Sequence, residues 1–527
     1  MRILIFHGYL LGGTGSNVYN ARLAEALVAL GHEVHLLSQE RHPEELHFVD
    51  AIGDWDDGSL RVRTAHGRAA DQAARCTVYR PNIGEVLPVY VADRYEGIEA
   101  KTFAQSSEEE LAFYLDANVR AVRDVLARAD PEVALANHLI MGPVILARGL
   151  AGEVPYAVKI HGSALEYTVK RDPQRFLGVA REGLAPARAI LVGSRHTALS
   201  LWAALGEETL AGRTRLGPPG VDIVRFAPRD AKQNANATRV LAARLRATAT
   251  EQRPQVGASG FSRDQLAAAE ALERLDVDRD ALVAFVGKLI VSKGVDLLLA
   301  AFPLVLEQAP HARLVVVGFG AYREGLERLI AALASGDLAG ARLLALAGRS
   351  LEDPGSEPRP LHQLLAFLDS LLGEERERYL AAARTLSERV LLTGRLEHDE
   401  LAELLPACEA LVVPSTFPEA FGMVAAEAAA CGVLPLSAAH SGLAEVTDAL
   451  ARAVPEQAAA WLSFALDDGA VRAIAARLCG WLGADPQLRS RTRAGLVATA
   501  RERWSWEGVA RGVIAAARGE LQALREP

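Results

Sequence analysis

The sequence contains little lysine, little cysteine and few aromatic residues. Of the 57 basic residues in this 527-residue chain, only six are lysine, at positions 101, 159, 170, 232, 288 and 293. The formal net charge is -9 at pH 7, which argues against binding to nucleic acid or to an anionic membrane surface through overall charge. A small anionic ligand in one basic cleft is still allowed.

The few cysteines and the absence of long apolar runs indicate a cytoplasmic protein. Its four cysteines have no paired spacing, which predicts reduced core residues rather than disulfides or metal ligands. The apolar start, 1–6, is too short for a signal peptide and predicts a buried strand. No apolar run is long enough to cross a bilayer.

Short apolar runs alternate with helical patterns, which is typical of an α/β fold with doubly wound parallel sheets. Half of the residues are hydrophobic, so a chain of this length should form at least two domains. The strands that this pattern predicts are 2–6, 33–37, 133–136, 156–160, 189–192, 281–286, 314–317, 390–392, 410–413 and 433–436.

Two Rossmann-like halves are the simplest architecture for these strands. A Gly-Pro-Pro-Gly stretch at 217–220 interrupts both patterns, so we predict domains at 1–217 and 218–500 and a closing helix at 501–527. Three stretches exceed ordinary connection lengths and are predicted to be partly helical insertions, about 40–110, 230–280 and 335–388.

Two carboxylates flank the start of a predicted helix after strand 410–413. Glu419 lies in the turn, and Glu427 lies in the helix that follows. Ligands of open α/β sheets bind at the carboxyl ends of the strands. There a carboxylate accepts hydrogen bonds from sugar or ribose hydroxyls, while helix amides favour an anionic group. The alternative is a turn acid and a solvated helix acid.

A basic loop follows strand 281–286. Lys288 and Lys293 leave the carboxyl end of this strand and could neutralise a diphosphate that reaches toward Glu427. A solvated surface pair is the alternative interpretation. Gly318 and Leu396 follow two further predicted strands and would line the same ligand-binding crevice at the carboxyl ends of the strands.

The first half offers weaker signals. Gly13 and Gly15 lie between strand 2–6 and a predicted helix, where they allow close backbone approach to a ligand, although a tight turn explains them equally well. His161 follows strand 156–160, and this position makes a functional histidine about as plausible as a structural one. Asn137 and His138 leave another strand in a similar way.

An Asp-Val-Asp pattern at 276–278 is the strongest candidate for a metal site, and it is weak. The pattern precedes strand 281–286 and is better explained as a polar turn. The residues therefore predict no catalytic metal.

Together these motifs resemble those of family 4 glycosyltransferases of the GT-B superfamily. The two glutamates seven residues apart, with Phe421 and Gly422 between them, are similar to the family's signature. The segment 287–294 resembles its basic phosphate loop, with Lys288 where many members have arginine. The stretch 219–222 resembles the end of the family's linker, although asparagine is commoner than Pro219 at its first position.

The resemblance implies a GT-B fold, in which two Rossmann-like domains face each other across a cleft. The first domain would bind the acceptor and the second a nucleotide diphosphate sugar, most simply a UDP- or GDP-sugar, without metal or other cofactor. The implied catalytic residues are His161, Lys288, Lys293 and Glu419. The implied donor-binding residues are Gly13, Gly15, Gly318, Leu396, Phe421, Gly422, Met423 and Glu427.

The implied reaction is sugar transfer to an acceptor hydroxyl with retention of anomeric configuration. Cations at the diphosphate stabilise the leaving group. No convincing nucleophile lies opposite Glu419 in the sequence, which favours same-face substitution over a covalent intermediate. Three alternatives stay open, namely a phosphorylase, which the lack of a pyridoxal-phosphate lysine segment disfavours, a nucleotide-sugar hydrolase or epimerase, and a non-catalytic nucleotide-sugar binding protein.

Overall fold

The computed structural model divides the chain into two compact units. Unit 1 comprises Met1–Gly220 and Trp504–Pro527, and unit 2 comprises Val221–Arg503. The structure describes residues 1–65, 74–90, 99–206, 209–251, 263–353 and 355–527. Each of the three predicted insertions therefore lies partly outside the described residues, at 66–73 and 91–98, at 252–262 and at 354.

Unit 1 is built on a nine-stranded sheet. The strands of unit 1 are β1 (Arg2–Phe6), β2 (Glu33–Leu37), β3 (Ala51–Asp56), β4 (Ser59–Thr64), β5 (Cys76–Arg80), β6 (Val86–Val89), β7 (Glu99–Thr102), β8 (Val133–Asn137), β9 (Tyr156–Lys159), β10 (Ala189–Val192) and β11 (Thr214–Leu216). The sheet order is β11-β10-β9-β8-β1-β2-β5-β3-β4, and β6 pairs with β7 separately. Every pair is parallel except β3 with β4.

Both faces of this sheet are covered. In β1, Leu4 and Phe6 join one buried cluster, while Ile3 and Ile5 join another on the opposite face. This burial on both faces explains why the central strands are continuous apolar runs. The helices of unit 1 before the chain enters unit 2 are α1 (Gly15–Ala29), α2 (Glu108–Ala129), α3 (Gly142–Leu150), α4 (Gly162–Ala164), α5 (Pro173–Leu184), α6 (Arg195–Leu205) and α7 (Thr209–Arg213).

Unit 2 contains a second, wholly parallel sheet. Its strands are β12 (Ala281–Val286), β13 (Ala312–Val317), β14 (Val390–Gly394), β15 (Ala410–Val413), β16 (Leu434–Ala438) and β17 (Ser463–Phe464). Their order is β14-β13-β12-β15-β16-β17, so the chain reverses direction across the sheet beside β12. Such a switch point is where open α/β sheets bind ligands.

Helices connect the strands of unit 2. They are α8 (Ala231–Glu251), α9 (Gln265–Glu273), α10 (Val295–Gln308), α11 (Arg323–Ser335), α12 (Leu338–Ala347), α13 (His362–Ser370), α14 (Gly373–Ala383), α15 (Leu386–Arg389), α16 (His398–Leu404), α17 (Met423–Ala430), α18 (Ser441–Ala451), α19 (Glu456–Ala459), α20 (Ala470–Leu482) and α21 (Pro486–Trp504). The last helix, α22 (Trp506–Arg518), belongs to unit 1 and packs against α1 and β8–β10. None of the described helices combines the length and hydrophobicity of a membrane span.

The predicted fold class is confirmed, since both units contain parallel sheets of the Rossmann-like type. Each predicted strand is present, with shifts of at most two residues at its ends. The expectation for 40–110 was wrong in part, because β3–β5 extend the main sheet there instead of forming helices. Strand β4 is an exposed edge that alternates polar and apolar residues, and it lacks the continuous apolar run used to recognise the others.

Gly294 sets how closely the loop after β12 approaches the loop after β15. It has φ +65°, and a Cβ atom there would lie 2.0 Å from the carbonyl oxygen of Pro414. A backbone hydrogen bond from Thr416 N–H to Ser292 O, 2.9 Å long, fastens the same two loops. The two loops that carry the predicted basic and acidic residues are therefore held together by backbone packing.

We expect Gly294→Ala to destabilise unit 2 by about 2 kcal/mol, because it combines left-handed backbone strain with a clash against backbone. Urea unfolding should show a lower midpoint with little change in slope. Gly287→Ala is the matched control, since the nearest heavy atom to its new Cβ is at 3.4 Å and its φ is not positive. Equal midpoints for both variants would contradict this role of Gly294.

Candidate functional site

The carboxyl ends of the parallel strands of unit 2 carry most of the predicted site residues. Strand β12 leads into the basic loop 287–294, and β15 leads into the acidic turn 414–422. Strands β12 and β15 are neighbours in the sheet, so their exits emerge side by side at one edge. Residues more than 100 positions apart in the sequence meet there.

Lys293 and Glu419 are in direct contact. The Lys293 ammonium forms an ion pair with Oε1 of Glu419, and the hydroxyl of Ser415 donates to the same oxygen at 2.7 Å. The side chains of Lys293 and Glu419 are 29% and 24% exposed, so both remain accessible to a ligand. The site thus presents a cation and an anion at a single point.

The loop after β16 supports this acidic turn. The Glu419 N–H donates to Ser441 Oγ at 2.9 Å, and the Gly442 N–H donates to the Glu419 carbonyl at 2.9 Å. His440 Nε2 lies 2.7 Å from the Ser415 carbonyl. A Cβ atom at residue 442 would lie 2.7 Å from the backbone of Ala420, which explains the glycine. Sequence reasoning identified none of these three residues, of which His440 precedes α18 and Ser441 and Gly442 begin it.

Glu427 lies in α17 and is almost fully buried, at 2% exposure. Its Oε1 accepts a hydrogen bond of 2.8 Å from Nε2 of His398, whose ring packs against Phe226 at 4.8 Å between centroids. A buried carboxylate is stable only with such a partner. Sequence reasoning missed His398, although it begins α16 directly after the predicted ligand-lining segment that contains Leu396.

The start of α17 offers backbone donors near these carboxylates. Gly422 occupies the capping position before α17 and has no side chain. No capping side chain therefore satisfies the first amides of this helix. Phe421 and Met423 on either side are partly buried. Helix amides of this kind suit phosphate or sugar oxygens. The donor-binding roles of these three residues stay predictions.

Lys288 is exposed at the carboxyl end of β12, and Leu396 is buried after β14. Gly318 faces protein backbone, since a Cβ atom there would lie 2.0 Å from the Gly287 carbonyl. Close packing between the loops after β12 and β13 therefore explains this glycine, and its contact with a donor stays a prediction.

A residue from the stretch 335–388 supports the basic loop. The Val291 N–H donates to Oε2 of Glu352 at 2.6 Å, and the Glu352 side chain is only 15% exposed. In the first turn of α10, directly after the loop, burial raises the pKa of Asp296 to about 7. Glu352, which lies 61 residues further along the chain than Val291, thus holds the basic loop in place.

Unit 1 gathers polar side chains at the carboxyl ends of β1, β8 and β9. His161 follows β9, and its Nε2 lies 2.9 Å from Oδ1 of Asn137 at the end of β8. The edge of Tyr19 and the ring of His138 pack against His161, with centroids at 5.2 and 4.8 Å. His138 has φ +69° and is buried.

The basic groups of this cluster are held largely neutral. Burial, together with neighbouring basic groups, holds the pKa values of His161 and His138 well below the usual range for histidine. Burial also lowers the pKa of Lys159 to about 7, while its ammonium donates to Gly217 O at 2.5 Å and lies 5.5 Å from the centroid of Tyr19. At neutral pH His161 is therefore an uncharged imidazole.

Gly13 lies in an exposed loop before α1, and Gly15 is the exposed first residue of that helix. No heavy atom lies within 4 Å of a Cβ atom built at either position, and Gly13 has φ +88°. Thr14, the residue before α1, makes no side-chain cap. The loop leaves room for a ligand beside backbone, and the predicted ligand contacts of both glycines stay predictions.

The remaining motifs do not form sites. Residues 276–278 lie in a turn before β12, as predicted, where Arg279 contacts Asp276 at 3.7 Å. Within the described ranges, no three His, Cys, Asp or Glu side chains are grouped so that they could hold a metal. The four cysteines are not in disulfides, and burial raises the pKa of Cys408 to about 12.

Two family models match the chain in consecutive regions. The model described as "Glycosyl transferase 4-like domain" matches residues 14–220, and that described as "Glycosyl transferases group 1" matches 270–337 and 363–462. The chain is 26% identical over 437 residues to a D-inositol 3-phosphate glycosyltransferase of Frankia alni, covering 80% of this chain and 84% of that protein. It is 30% identical over 269 residues to the Segniliparus rotundus protein of the same name, covering 51% of this chain but only 46% of that relative.

Solved structures share the fold across both units. Sucrose-phosphate synthase from Thermosynechococcus elongatus matches with a TM-score of 0.54 at 20% identity, covering 99% of each chain. Anabaena HepE, solved in complex with UDP and glucose, matches with a TM-score of 0.54 at 15% identity, covering 99% of this chain and 100% of HepE. At these identities the likeness concerns the fold.

The neutral histidines of unit 1 make its stability depend on pH. The folded-state pKa of His138 is depressed, so as pH falls below its usual value of 6.5 the unfolded state binds the proton first and stability is lost. We expect His138→Asn, a substitution suited to positive φ, to flatten this dependence between pH 7 and 5 by about 1.4 kcal/mol per pH unit.

Urea unfolding monitored at several pH values measures this slope. His42→Asn serves as the control, because the His42 side chain is 65% exposed in the same unit and should leave the slope unchanged. If His138→Asn retains the wild-type slope, protonation of His138 does not oppose folding.

Proposed function

Because the chain belongs to the GT-B glycosyltransferases related to family 4, we propose that it transfers a sugar from a nucleoside diphosphate sugar to an acceptor hydroxyl. We further propose that transfer retains anomeric configuration and needs no metal ion. The contact between Lys293 and Glu419 is the observation that carries this proposal. It brings together the cation that we propose to bind phosphate and the carboxylate that we propose to bind the sugar.

In this proposal Lys293 and Glu419 divide the donor between them. Lys293 and Lys288 neutralise the charge that develops on the diphosphate as the anomeric bond breaks. Glu419 accepts hydrogen bonds from hydroxyls of the transferred sugar, while Ser415 holds its carboxylate at 2.7 Å. The preformed ion pair keeps both groups ordered before the donor binds, which reduces the entropy lost on binding.

Glu427 anchors the ribose in the same proposal. One carboxylate oxygen is engaged by His398 at 2.8 Å, so this bond orients the other toward the ribose diol. Burial strengthens such a charge-assisted hydrogen bond. The amides at the start of α17 would meet the phosphate or sugar oxygens beside it.

Retention is proposed as a same-face substitution. The acceptor oxygen forms its bond to the anomeric carbon as the bond to the diphosphate breaks, and the acceptor proton passes to the departing phosphate oxygen. Lys293 engages Glu419 in an ion pair, which favours a positioning role for this carboxylate over that of a covalent nucleophile. NMR of the product's anomeric proton would test this, and an inverted product would exclude it.

The comparisons suggest which ligands to test first. HepE was solved with UDP and glucose, so UDP-sugars come first, with GDP- and ADP-sugars beside them. The named relatives act on D-inositol 3-phosphate, so a phosphorylated cyclitol belongs in the acceptor panel. Nucleotide release without any acceptor would instead indicate a hydrolase, and donor binding without turnover would indicate a binding protein.

We expect Lys293→Met to slow transfer about 100-fold, because it removes a preorganised cation from the leaving group. Unfolding free energy should change by less than about 1 kcal/mol, since the ion pair is partly exposed. Initial rates with a saturating donor measure the first effect and urea unfolding the second. Lys232→Met, an exposed lysine in the same unit, is the control. An unchanged rate for Lys293→Met would remove the assignment.

We expect Glu427→Gln to weaken donor binding about tenfold, because a neutral amide replaces a charge-assisted acceptor. Its side-chain carbonyl can still accept from His398, so the fold should persist. Titration calorimetry across the nucleotide-sugar panel measures the change. Glu456→Gln, an exposed glutamate in α19, is the control. Equal affinities for wild type and Glu427→Gln would show that Glu427 does not bind the ribose.

A further inference from the structure

A continuous series of hydrogen-bonded side chains connects the glycine loop of unit 1, residues 12–14, to His161. The four members other than His161 are buried, each with an exposure of at most 2%. In order from the glycine loop, the series consists of Asn17, His7, Asn20, Asn137 and His161. Buried groups of this kind must match every donor with an acceptor.

Backbone carbonyls fix the direction of each hydrogen bond. Asn137 Nδ2 donates to the carbonyl of Phe6 at 3.1 Å, and a carbonyl can only accept. The amide oxygen of Asn137 therefore faces His161. Because that oxygen can only accept, Nε2 of His161 carries the proton and donates at 2.9 Å.

A second backbone carbonyl fixes the side-chain amide of Asn20. Its Nδ2 donates to the carbonyl of Ser16 at 2.9 Å, so its Oδ1 accepts from Asn137 Nδ2 at 2.7 Å. The second hydrogen of Asn20 Nδ2 is donated to Nδ1 of His7 at 3.0 Å. The side-chain amides of Asn137 and Asn20 are thus each fixed by a different backbone carbonyl, that of Phe6 and that of Ser16.

The series ends at the glycine loop with a third fixed amide. Asn17 Nδ2 donates to the carbonyl of Gly12 at 2.7 Å, so its Oδ1 accepts from Nε2 of His7 at 3.0 Å. The Leu10 carbonyl also lies 3.0 Å from that nitrogen. His7 is therefore a neutral imidazole with its proton on Nε2. Reversing any member would place two donors or two acceptors face to face.

We propose that Asn137, Asn20, His7 and Asn17 are positioning residues that hold His161 as the Nε2–H tautomer, so that its Nδ1 accepts a hydrogen bond from a sugar hydroxyl. This inference rests on the proposed function and names the kind of substrate group that His161 recognises. Among the residues that the structure describes, none hydrogen-bonds to that Nδ1. A hydroxyl can donate to it, whereas a phosphate oxygen cannot.

The surroundings of His161 keep it in this state. The titratable groups that face it are Tyr19 from α1, His138 after β8, Lys159 in β9 and His7 after β1. None of them is an acid that would stabilise an imidazolium, and burial lowers the pKa values of both His161 and His7, the latter to about 4. Within this cluster His161 accepts at Nδ1 throughout the neutral range.

The tautomer can be measured directly in the unmodified protein. Long-range proton–nitrogen correlation spectra of protein labelled with 15N-histidine distinguish the two neutral tautomers and the imidazolium. Loss of one signal in His161→Gln assigns it among the 13 histidines. We expect the Nε2–H form from pH 6 to 8. An Nδ1–H form or an imidazolium in wild type would overturn the inference without any appeal to activity.

Asn137→Asp tests whether the hydrogen-bonded side chains fix the neutral Nε2–H tautomer of His161. A carboxylate cannot donate to Phe6 or Asn20, and it raises the pKa of the His161 imidazole beside it. We expect about tenfold weaker donor binding at pH 6, recovering as pH rises, whereas wild-type affinity stays level. Asn118→Asp, which alters a buried asparagine that donates to Tyr114 O in α2, should keep the wild-type pH profile. Parallel profiles for wild type and Asn137→Asp would overturn the proposal.

Donor analogues identify the group that His161 recognises. Fluorine accepts hydrogen bonds weakly and cannot donate, so a deoxyfluoro sugar at the contacted position should bind wild type about tenfold less tightly than the parent sugar. His161→Ala should abolish this difference at one position only. If wild type shows no such position, the inference fails while turnover of the donor still supports the proposed function. If no donor turns over, the proposed function fails and the tautomer measurement stands by itself.

Discussion

The ion pair between Lys293 and Glu419 is the interaction on which the candidate site in unit 2 depends. It requires the exits of β12 and β15 to lie side by side, which the parallel sheet provides. Gly294 then allows the two loops to touch through backbone, and Ser441 secures the acidic turn from the loop after β16. Three separate strand exits thus hold one pair of opposite charges.

The two units differ in how polar side chains at the carboxyl ends of their strands are stabilised. Unit 2 keeps charged groups and gives each a partner, with Lys293 paired to Glu419 and the buried Glu427 hydrogen-bonded to His398. Unit 1 removes charge, because the cluster around His161 contains bases and amides but no carboxylate partner. A neutral, directional cluster suits recognition of hydroxyl groups, while a charged pair suits a ligand that carries both phosphate and hydroxyls.

The sequence predicted the central strands because burial on both faces produces continuous apolar runs, as in β1 and β12. It did not predict β3–β5, and in β4 the alternation of polar and apolar residues explains why. The predicted Lys293 and Glu419 do meet, since strand exits could be read from the pattern. Their supports were missed, because Ser441, Glu352 and His398 become neighbours only through topology, and no local spacing in the sequence links them to the residues they hold.

Lysine is scarce in this chain, and at two positions there is a physical reason for lysine rather than arginine. Lys159 is buried, and its pKa of about 7 means that much of the population is uncharged at neutral pH. An arginine there would stay charged and would need a carboxylate, and none is present among the described residues that surround His161 and Lys159. At Lys293 the reason differs, since a compact ammonium can contact one oxygen of Glu419 and still present donors to a phosphate. A planar guanidinium would tend to engage both oxygens of the carboxylate and withdraw it from a sugar.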